Sequence, residues 1–337
     1  MPLGADALGM EILVTMPATE VREDFFPPRL RDRLESFGSV TWTDDSDPDE
    51  AALRESIPGV DVLVTGWGSP TVTSEVVDGA DHLGLVAHTG GSVANLVTEA
   101  VYDAGIDVVS ANDVMATYTA EHALTTMLSR LRRVPDFAAG MESGGWGQDV
   151  TDVRSLVDAD VGLVGLGTIG RRLLDHLRSF DATVSVYDPY VDESVLADYP
   201  DAELASLDAA LDSAVVSLHA ARTPETVGML DADRLAQIPD GTLFVNTARA
   251  ELVVEEALMA ELRSGRFDAV LDVYHEEPLP ADHELRELDN VVLTPHVGGS
   301  RIREPLTEAI IDELARFEDD DPLDHAIGRE QWRLMTR

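Results

Sequence analysis

A short apolar strand that runs into three closely spaced glycines places the tightest constraint on the fold of this chain. The segment Val161–Leu173 reads VGLVGLGTIGRRL, with Gly165, Gly167 and Gly170 followed by a helical pattern. The first glycine permits a tight turn, the second lets the backbone approach a pyrophosphate, and the third lets helix and strand pack closely. The N-terminus of the helix then offers free N–H groups to phosphates. The segment therefore predicts a dinucleotide site.

An acidic residue follows the glycines at the distance typical of such a site. Asp188 lies 18 residues after Gly170, at the end of the predicted strand 183–187. A carboxylate there accepts hydrogen bonds from the adenosine ribose hydroxyls and repels a 2′-phosphate, so we predict NAD rather than NADP. The alternative is that Asp188 is a turn residue before Pro189.

Short apolar runs alternate with helical patterns along the whole chain, which predicts parallel sheets covered by helices on both faces. In the first third we predict strands at 11–16, 60–65, 83–92 and 106–110, and helices at 29–37 and 93–104. A long helix at 118–134, ended by Pro135, and a glycine-rich loop at 140–148 come next. Six strands follow at 161–164, 183–187, 214–218, 242–246, 269–273 and 291–294, then a helix at 303–317.

Composition excludes several kinds of chemistry. The 337 residues contain no cysteine, which removes thiolate nucleophiles and cysteine-ligated metals. All 24 basic residues are arginine, so neither a P-loop lysine nor a lysine Schiff base is available. No apolar run approaches the ~20 residues of a membrane helix, and the N-terminus does not resemble a signal peptide. We therefore expect a cytoplasmic protein.

The charge is strongly acidic throughout, with 64 acidic residues and a formal net charge of −40. Molar salt shortens the Debye length to ~3 Å and screens such repulsion, which suggests a halophilic protein. An acidic mesophilic protein is the alternative. Nucleic acid and anionic membranes are not expected as partners.

Three later segments each place a titratable or charged residue just after an apolar strand, where ligands bind in open parallel sheets. They are LFVNTARAELV with Arg249, AVLDVYHEEPLP with Asp272 and Glu277, and NVVLTPHVGGS with His296. Taken singly, each residue could be a surface ion-pair partner, a loop residue or a packed histidine. A metal site at His275, Glu276 and His283 is rejected, because they lack helical i, i+4 spacing.

These segments, together with the glycine motif, closely resemble the D-isomer-specific 2-hydroxyacid dehydrogenases. The resemblance implies a Rossmann NAD-binding domain at 114–299, inserted in a flavodoxin-like substrate domain formed by 1–113 and 300–337, each a doubly wound parallel sheet. It implies hydride transfer between NAD(H) and a small 2-oxo or 2-hydroxy acid, and a homodimer. The alternative is a non-catalytic, NAD-sensing interaction protein on the same fold.

The resemblance also implies roles for individual residues. Arg249 would bind the substrate carboxylate, His296 would exchange the proton, and Glu277 would fix the histidine tautomer and stabilise its protonated form. Further cofactor contacts are implied for Thr168, Ile169, His219, Thr247, Ala248, Asp272, Gly298 and Gly299. No metal is implied.

A glycine loop of the family's substrate domain binds the carboxylate through backbone N–H groups. Here we predict that role for Gly90, Gly91, Ser92 and Val93, in the segment HTGGSVANLV. The segment departs from the family, because Ser92 replaces a glycine and Ala94 replaces an acid, so the acid that binds is not identified. His88 and Tyr118 are further candidates for substrate contact or for structural roles.

Overall fold

The computed structural model describes residues 9–335, and the chain divides into two compact units. The first unit comprises Met1–Met115 and Ile302–Arg337, and the second comprises Ala116–Arg301. The predicted domain boundaries lie two residues away from these divisions.

The first unit is built on a five-stranded parallel sheet with the strand order β2-β1-β3-β4-β5. Its strands are β1 (Met10–Val14), β2 (Gly38–Trp42), β3 (Val62–Thr65), β4 (Leu85–His88) and β5 (Asp107–Ser110). The helices between them are α1 (Glu20–Phe25), α2 (Pro28–Glu35), α3 (Glu50–Ser56), α4 (Ser74–Gly79) and α5 (Glu99–Asp103). Strands β3 and β4 are buried along their whole length, because helices cover both faces of the sheet.

The second unit contains a seven-stranded parallel sheet with the order β12-β11-β10-β9-β6-β7-β8. Its strands are β6 (Asp160–Val164), β7 (Thr183–Tyr187), β8 (Ala202–Leu204), β9 (Val215–Leu218), β10 (Leu243–Asn246), β11 (Asp268–Leu271) and β12 (Val291–Leu293). Its helices are α6 (Asn112–Leu131, which begins in the first unit), α7 (Val134–Glu142), α8 (Thr168–Leu177), α9 (Leu207–Leu211), α10 (Ala232–Leu235) and α11 (Glu255–Ser264). The chain then returns to the first unit with α12 (Glu304–Glu318) and α13 (Arg329–Leu334).

The predicted fold class, two parallel-sheet α/β domains, is confirmed, but two predicted helices are wrong in extent. The helix expected over 93–104 is only α5, because Val97 pairs with Val72 as an isolated bridge and Thr98 begins the helix. The helix expected over 118–134 begins earlier, at Asn112, and ends at Leu131. Pro135 does not end it but lies in the first turn of α7, where a missing N–H costs nothing.

Strand β8 was not predicted from the sequence, so the second sheet has seven strands rather than six. Its three residues, AEL, are too few to show an alternating or continuous apolar pattern. Strand β8 forms the edge of the sheet and pairs with β7 alone. No helix among residues 9–335 combines the length and apolar character needed to cross a membrane.

A buried arginine links two elements of the second unit. Arg130 on α6 donates through Nη2 to one oxygen of Asp268, at the start of β11, at 2.8 Å. Arg154 donates to the other oxygen of the same carboxylate, also at 2.8 Å. Because a buried guanidinium must be paired, Asp268 neutralises a charge that water does not reach.

We predict that Asp268→Ala destabilises the chain by about 3–5 kcal/mol, because it leaves the buried Arg130 without its closest partner. The matched control is Asp240→Ala, which removes an 82% exposed partner of Arg266 and should cost less than about 1 kcal/mol. Urea unfolding of both variants in the same salt measures the two free energies. Equal losses of unfolding free energy in the two variants would show that the buried Arg130–Asp268 pair stabilises the chain no more than the exposed Arg266–Asp240 pair.

Candidate active site

The glycine loop follows β6 at the point where the second sheet reverses its strand order, between β6 and β9. Gly165 has a φ of +100°, and a Cβ added there would lie 2.5 Å from the backbone nitrogen of Ala220. A Cβ added to Gly170 would lie 2.4 Å from the carbonyl oxygen of Gly165. The first and third glycines are therefore required by close backbone packing.

Gly167 differs from the other two glycines. Within the described part of the chain, nothing lies within 4 Å of a Cβ added there, so internal packing does not require this glycine. It is the N-cap of α8, and no side chain caps that helix end. Thr168 and Ile169 form the first turn of α8. This open, uncapped N-terminus is the geometry that accepts a phosphate group.

Asp188 is fixed beside the glycine loop by backbone groups. One carboxylate oxygen accepts a hydrogen bond from the N–H of Leu166 at 2.8 Å, and the other accepts from the N–H of Tyr190 at 2.9 Å. The carboxylate is thus oriented at the end of β7, next to the predicted phosphate site. Its contact with a ribose remains a prediction.

Two polar side chains at neighbouring strand ends complete this region. The hydroxyl of Thr247, just after β10, is buried and has no hydrogen-bond partner among the described residues. An unpaired buried hydroxyl costs about 1–3 kcal/mol, which a bound ligand would recover. His219, just after β9, is buried with Nε2 2.8 Å from Ser217 Oγ. Burial lowers the pKa of His219 to about 4, so it is neutral near pH 7. The open helix end and this orphaned hydroxyl fit NAD.

Arg249 is presented by a turn that Asn246 closes. The Asn246 side chain donates to the carbonyl oxygen of Arg249 at 3.0 Å and accepts from the N–H of Ala248 at 3.1 Å. Burial lowers the pKa of Arg249, while the charges of Glu251 and Glu277 oppose that effect. The charge of Glu277 therefore acts on the guanidinium of Arg249, and the catalytic role of the two residues remains a prediction.

Glu277 and His296 form a direct pair. His296 Nδ1 lies 2.7 Å from one oxygen of Glu277, and the N–H of Tyr274 donates to the other oxygen at 3.0 Å. The Glu277–Pro278 peptide bond is cis. His296 has a φ of +50°, an uncommon backbone conformation for a residue other than glycine. The arrangement fixes the imidazole so that Nδ1 faces the carboxylate and Nε2 is left for another partner.

Asp272 has a position that the sequence did not reveal. Its side chain is 1% exposed, and its two oxygens accept from Thr294 Oγ1 at 2.5 Å and from the N–H groups of Val297 and Gly298 at 2.9 Å. Burial alone would raise the pKa of Asp272, but the nearby His122, together with hydrogen bonds from Thr294 and these amides, holds it below its ordinary value. The carboxylate is therefore ionised and orders the segment around His296. A cofactor contact from Asp272 remains a prediction.

The remaining predicted residues of the second unit lie close to this segment. A Cβ added to Gly298 would lie 3.0 Å from an Asp272 oxygen, and Gly299 has a φ of +83°. Tyr118 lies on α6. No group of three metal-binding side chains occurs between residues 9 and 335.

The glycine loop of the first unit follows β4. Ser110 Oγ, at the end of β5, lies 2.9 Å from the carbonyl oxygen of Gly90 and also within hydrogen-bond distance of that of Gly91. Because a peptide N–H points opposite to its carbonyl, the N–H of Gly91 is directed away from Ser110. Gly90, Gly91 and Val93 are buried residues whose N–H groups donate no hydrogen bond within the described chain. An anion is one partner that such N–H groups can bind.

His88 lies under this loop. It is buried, with Nδ1 3.0 Å from Thr65 Oγ1, and burial lowers its pKa to about 4. A Cβ added to Gly90 would lie 2.4 Å from His88 Nε2, so the loop rests directly on the imidazole. His88 is therefore neutral near pH 7 and supports the loop.

Sequence reasoning missed the residues that position the others: Asn246, Ser110, Thr294, Tyr274 and His122. For Asn246 and Ser110 a signal exists, because each is a buried polar residue that ends a strand directly after apolar residues. For His122 no local signal exists, because its partner Thr294 is 172 residues away.

We predict that Gly167→Ala folds normally but weakens NADH binding at least about tenfold, equivalent to ~1.4 kcal/mol, because the methyl group enters open space where a pyrophosphate would approach. NADH fluorescence titration measures the affinity, and thermal unfolding checks the fold. The matched control is Gly328→Ala in the first unit, where an added Cβ also meets nothing and the φ is −69°. Unchanged NADH affinity in Gly167→Ala would contradict the assigned phosphate site.

Comparison with known proteins agrees with this geometry. The family model "D-isomer specific 2-hydroxyacid dehydrogenase, NAD binding domain" matches residues 124–298. D-3-phosphoglycerate dehydrogenase of Mycobacterium tuberculosis is 36% identical over 263 residues, 77% of this chain and 49% of that protein. The chain thus spans about half the length of that relative. Hydroxypyruvate reductase of Thermotoga maritima is 33% identical, over 78% of this chain and 87% of that protein.

Solved structures agree with these matches. The TT0316 protein of Thermus thermophilus has a TM-score of 0.77 and 30% identity, covering 95% of this chain and 100% of that one. Family model, relatives and fold together establish that the chain belongs to the D-isomer-specific 2-hydroxyacid dehydrogenases and carries their NAD-binding domain.

Proposed function

We propose that the chain interconverts a small 2-oxo acid and the corresponding 2-hydroxy acid, with NAD(H) as cofactor and Arg249, Glu277 and His296 as its catalytic set. The observation that carries the proposal is the 2.7 Å pair of His296 and Glu277, within electrostatic range of the Arg249 guanidinium. A partly buried cation suits the carboxylate of an oxo acid, and a carboxylate-paired histidine suits the proton exchange at the 2-oxygen.

The proposed chemistry separates the hydride from the proton. When bound, the reduced nicotinamide supplies the hydride to the 2-carbon of the oxo acid. Protonated His296 donates the proton to the resulting oxygen and is left neutral, and Glu277 stabilises the imidazolium before that step. In the oxidation direction His296 accepts the proton from the hydroxyl group. The reduction therefore consumes one hydride and one proton.

Arg249 has the chemistry needed to orient the substrate. Its planar guanidinium can bind a carboxylate through two parallel hydrogen bonds, which a point charge does not provide. Asn246 keeps the backbone of Arg249 in one conformation, so the guanidinium is presented from a fixed turn. We propose that Arg249 binds the substrate carboxylate and polarises the 2-oxo group.

The loop Gly90–Gly91–Ser92–Val93 is proposed as a second contact for the substrate carboxylate. Its support is that Gly90, Gly91 and Val93 are buried residues whose N–H groups lack a partner in the described chain. Candidate substrates are hydroxypyruvate, glyoxylate and phosphohydroxypyruvate, and the relatives named for D-3-phosphoglycerate and for hydroxypyruvate are consistent with such acids.

The test is NADH oxidation, followed at 340 nm, with a panel of these acids plus pyruvate, phenylpyruvate and 2-oxoisocaproate, repeated with NADPH. Assays run in about 3 M KCl and in about 0.1 M KCl, where the Debye length differs roughly fivefold, also test the proposed halophilic character. Turnover of one acid with NADH identifies the substrate. Tight NADH binding with no turnover of any acid would favour the NAD-sensing alternative.

We predict that His296→Ala lowers the rate by about 10²–10⁴-fold, because it removes the proton donor, while NADH affinity stays close to that of the wild type. His283→Ala is the matched control, because His283 belongs to the same unit and contacts neither Glu277 nor Asp272. Undiminished turnover by His296→Ala would overturn the assigned role.

We also propose that the protein is a homodimer, with α7 and the loop after it in the interface. Helix α7 buries none of its own residues, and large apolar side chains are exposed on it and on the loop, including Met141 and the 74% exposed Trp146. Exposed apolar surface of this kind marks an interaction site.

We predict a solution mass of twice 36.4 kDa for the wild type by light scattering, and a shift towards the monomer in Trp146→Glu. The cause is that a carboxylate buried in an apolar interface loses its hydration. Tyr190→Glu is the control, because Tyr190 is exposed to the same extent, 73%, on a different part of the unit. A monomeric wild type would refute the homodimer.

A further inference from the structure

The segment 294–298, here called the His296 loop, is held by hydrogen bonds to the buried carboxylate of Asp272. Asp272 accepts two backbone N–H groups of the loop and the hydroxyl group of Thr294. His296 itself contributes an uncommon left-handed φ, and its N–H donates to the carbonyl oxygen of Thr294 at 3.0 Å. A histidine in this conformation persists only where its surroundings hold the backbone.

Helix α6 contacts the same loop from another side. Thr119 Oγ1 donates to the carbonyl oxygen of Gly298 at 3.1 Å. His122 Nε2 lies 3.2 Å from Thr294 Oγ1 and 3.6 Å from an Asp272 oxygen. Thr119 and His122 are three residues apart and therefore share one face of the helix. That face reaches both ends of the His296 loop.

The direction of the hydrogen bonds follows from the proton count. The single hydroxyl proton of Thr294 is donated to Asp272, so Thr294 Oγ1 can only accept from His122. His122 must therefore carry a proton on Nε2. This N–H also faces the Asp272 carboxylate, whose buried charge it helps to stabilise.

Gly298 is packed closely against side chains of α6 and Asp272. A Cβ added there would lie 3.0 Å from Asp272 Oδ2 and 3.5 Å from both His122 Cδ2 and Thr119 Cγ2. The loop backbone thus lies directly on the two α6 side chains.

We propose that Thr119 and His122 are positioning residues: acting on Thr294, Asp272 and Gly298, they set the place from which His296 exchanges its proton. The catalytic part of this inference rests on the proposed dehydrogenase function. The structural part, that α6 orders the His296 loop, does not depend on it.

The experiment compares His122→Ala with His122→Gln, whose amide can still donate to Thr294, and with Thr119→Val, which keeps the shape but removes the hydroxyl. His176→Ala on α8 is the matched control, a partly buried histidine on another helix of the same unit. Two quantities are measured: hydrogen–deuterium exchange of a peptide that covers 294–298, and the steady-state kinetics of the best acid with NADH.

We expect hydrogen–deuterium exchange of the loop peptide to be at least about fivefold faster in His122→Ala than in the wild type, because that variant loses a hydrogen bond to a charged network. Exchange should be close to the wild-type rate in His122→Gln and His176→Ala. We expect kcat of His122→Ala to fall by about 10–100-fold, because a small displacement of a reacting group has that cost, with NADH affinity retained. His122→Gln should recover most of the kcat. A larger solvent deuterium isotope effect in His122→Ala would place the defect in proton transfer.

Each result has a separate meaning. Loop exchange that is unchanged in both His122→Ala and Thr119→Val overturns the positioning role, whatever the activity. Faster exchange with unchanged kcat overturns its catalytic part. A wild type that turns over no acid, with the exchange pattern as expected, refutes the proposed dehydrogenase function and leaves the ordering of the loop by α6 intact. If His122→Ala does not fold, Thr119→Val decides by the same criteria.

Discussion

The buried carboxylate of Asp272 is the constraint on which the geometry of the second unit's strand ends depends. A charge that is almost fully removed from water must receive hydrogen bonds, and here they come from Thr294 and two consecutive amides of the backbone. The amides belong to the residues directly after His296. The requirement to satisfy one ion therefore fixes the backbone from which the imidazole projects, and Glu277 then fixes the orientation of the ring.

Because the chain contains no lysine, arginine supplies the cation in most of its ion pairs. Every fixed cation other than the N-terminus is a guanidinium, with five donors in a rigid plane. Arg130 and Arg154 share the two oxygens of Asp268, and Arg263 forms a two-pronged contact with Glu284. With a net charge of −40, the chain has acidic partners in excess of its arginines.

The sequence predicted the parts of the site that local spacing encodes. The glycine motif, Asp188, Arg249, Glu277 and His296 each follow an apolar strand, and the carboxyl ends of parallel strands meet at one edge of a sheet. Contacts between distant segments were not predictable in this way. His122 and Thr294 are separated by 172 residues, and no periodicity relates them. The sequence links Asp272 only to the cofactor, because a strand-end carboxylate does not reveal which backbone amides will fold onto it.

The errors in secondary structure have similar causes. The apolar spacing of residues 93–104 predicts a helix, but residues 94–96 form a turn and Val97 pairs with Val72 in an isolated bridge, so the helix begins only after Thr98. Pro135 resembles a stop signal, although proline is equally suited to the first turn of a new helix. At both positions the local sequence is compatible with two conformations, and contacts with other parts of the chain select one of them.

The exposure of the His296 side chain bears on how this residue regains a proton. His88 and His219 are buried and neutral, so neither can store a proton near pH 7. The His296 side chain, in contrast, is 43% exposed. If His296 exchanges the proton as proposed, a ring so placed recovers that proton directly from water or buffer, without an internal relay through other side chains. The proton that enters each hydroxy acid would then come from bulk solvent, while the hydride would pass directly from the bound cofactor to the substrate.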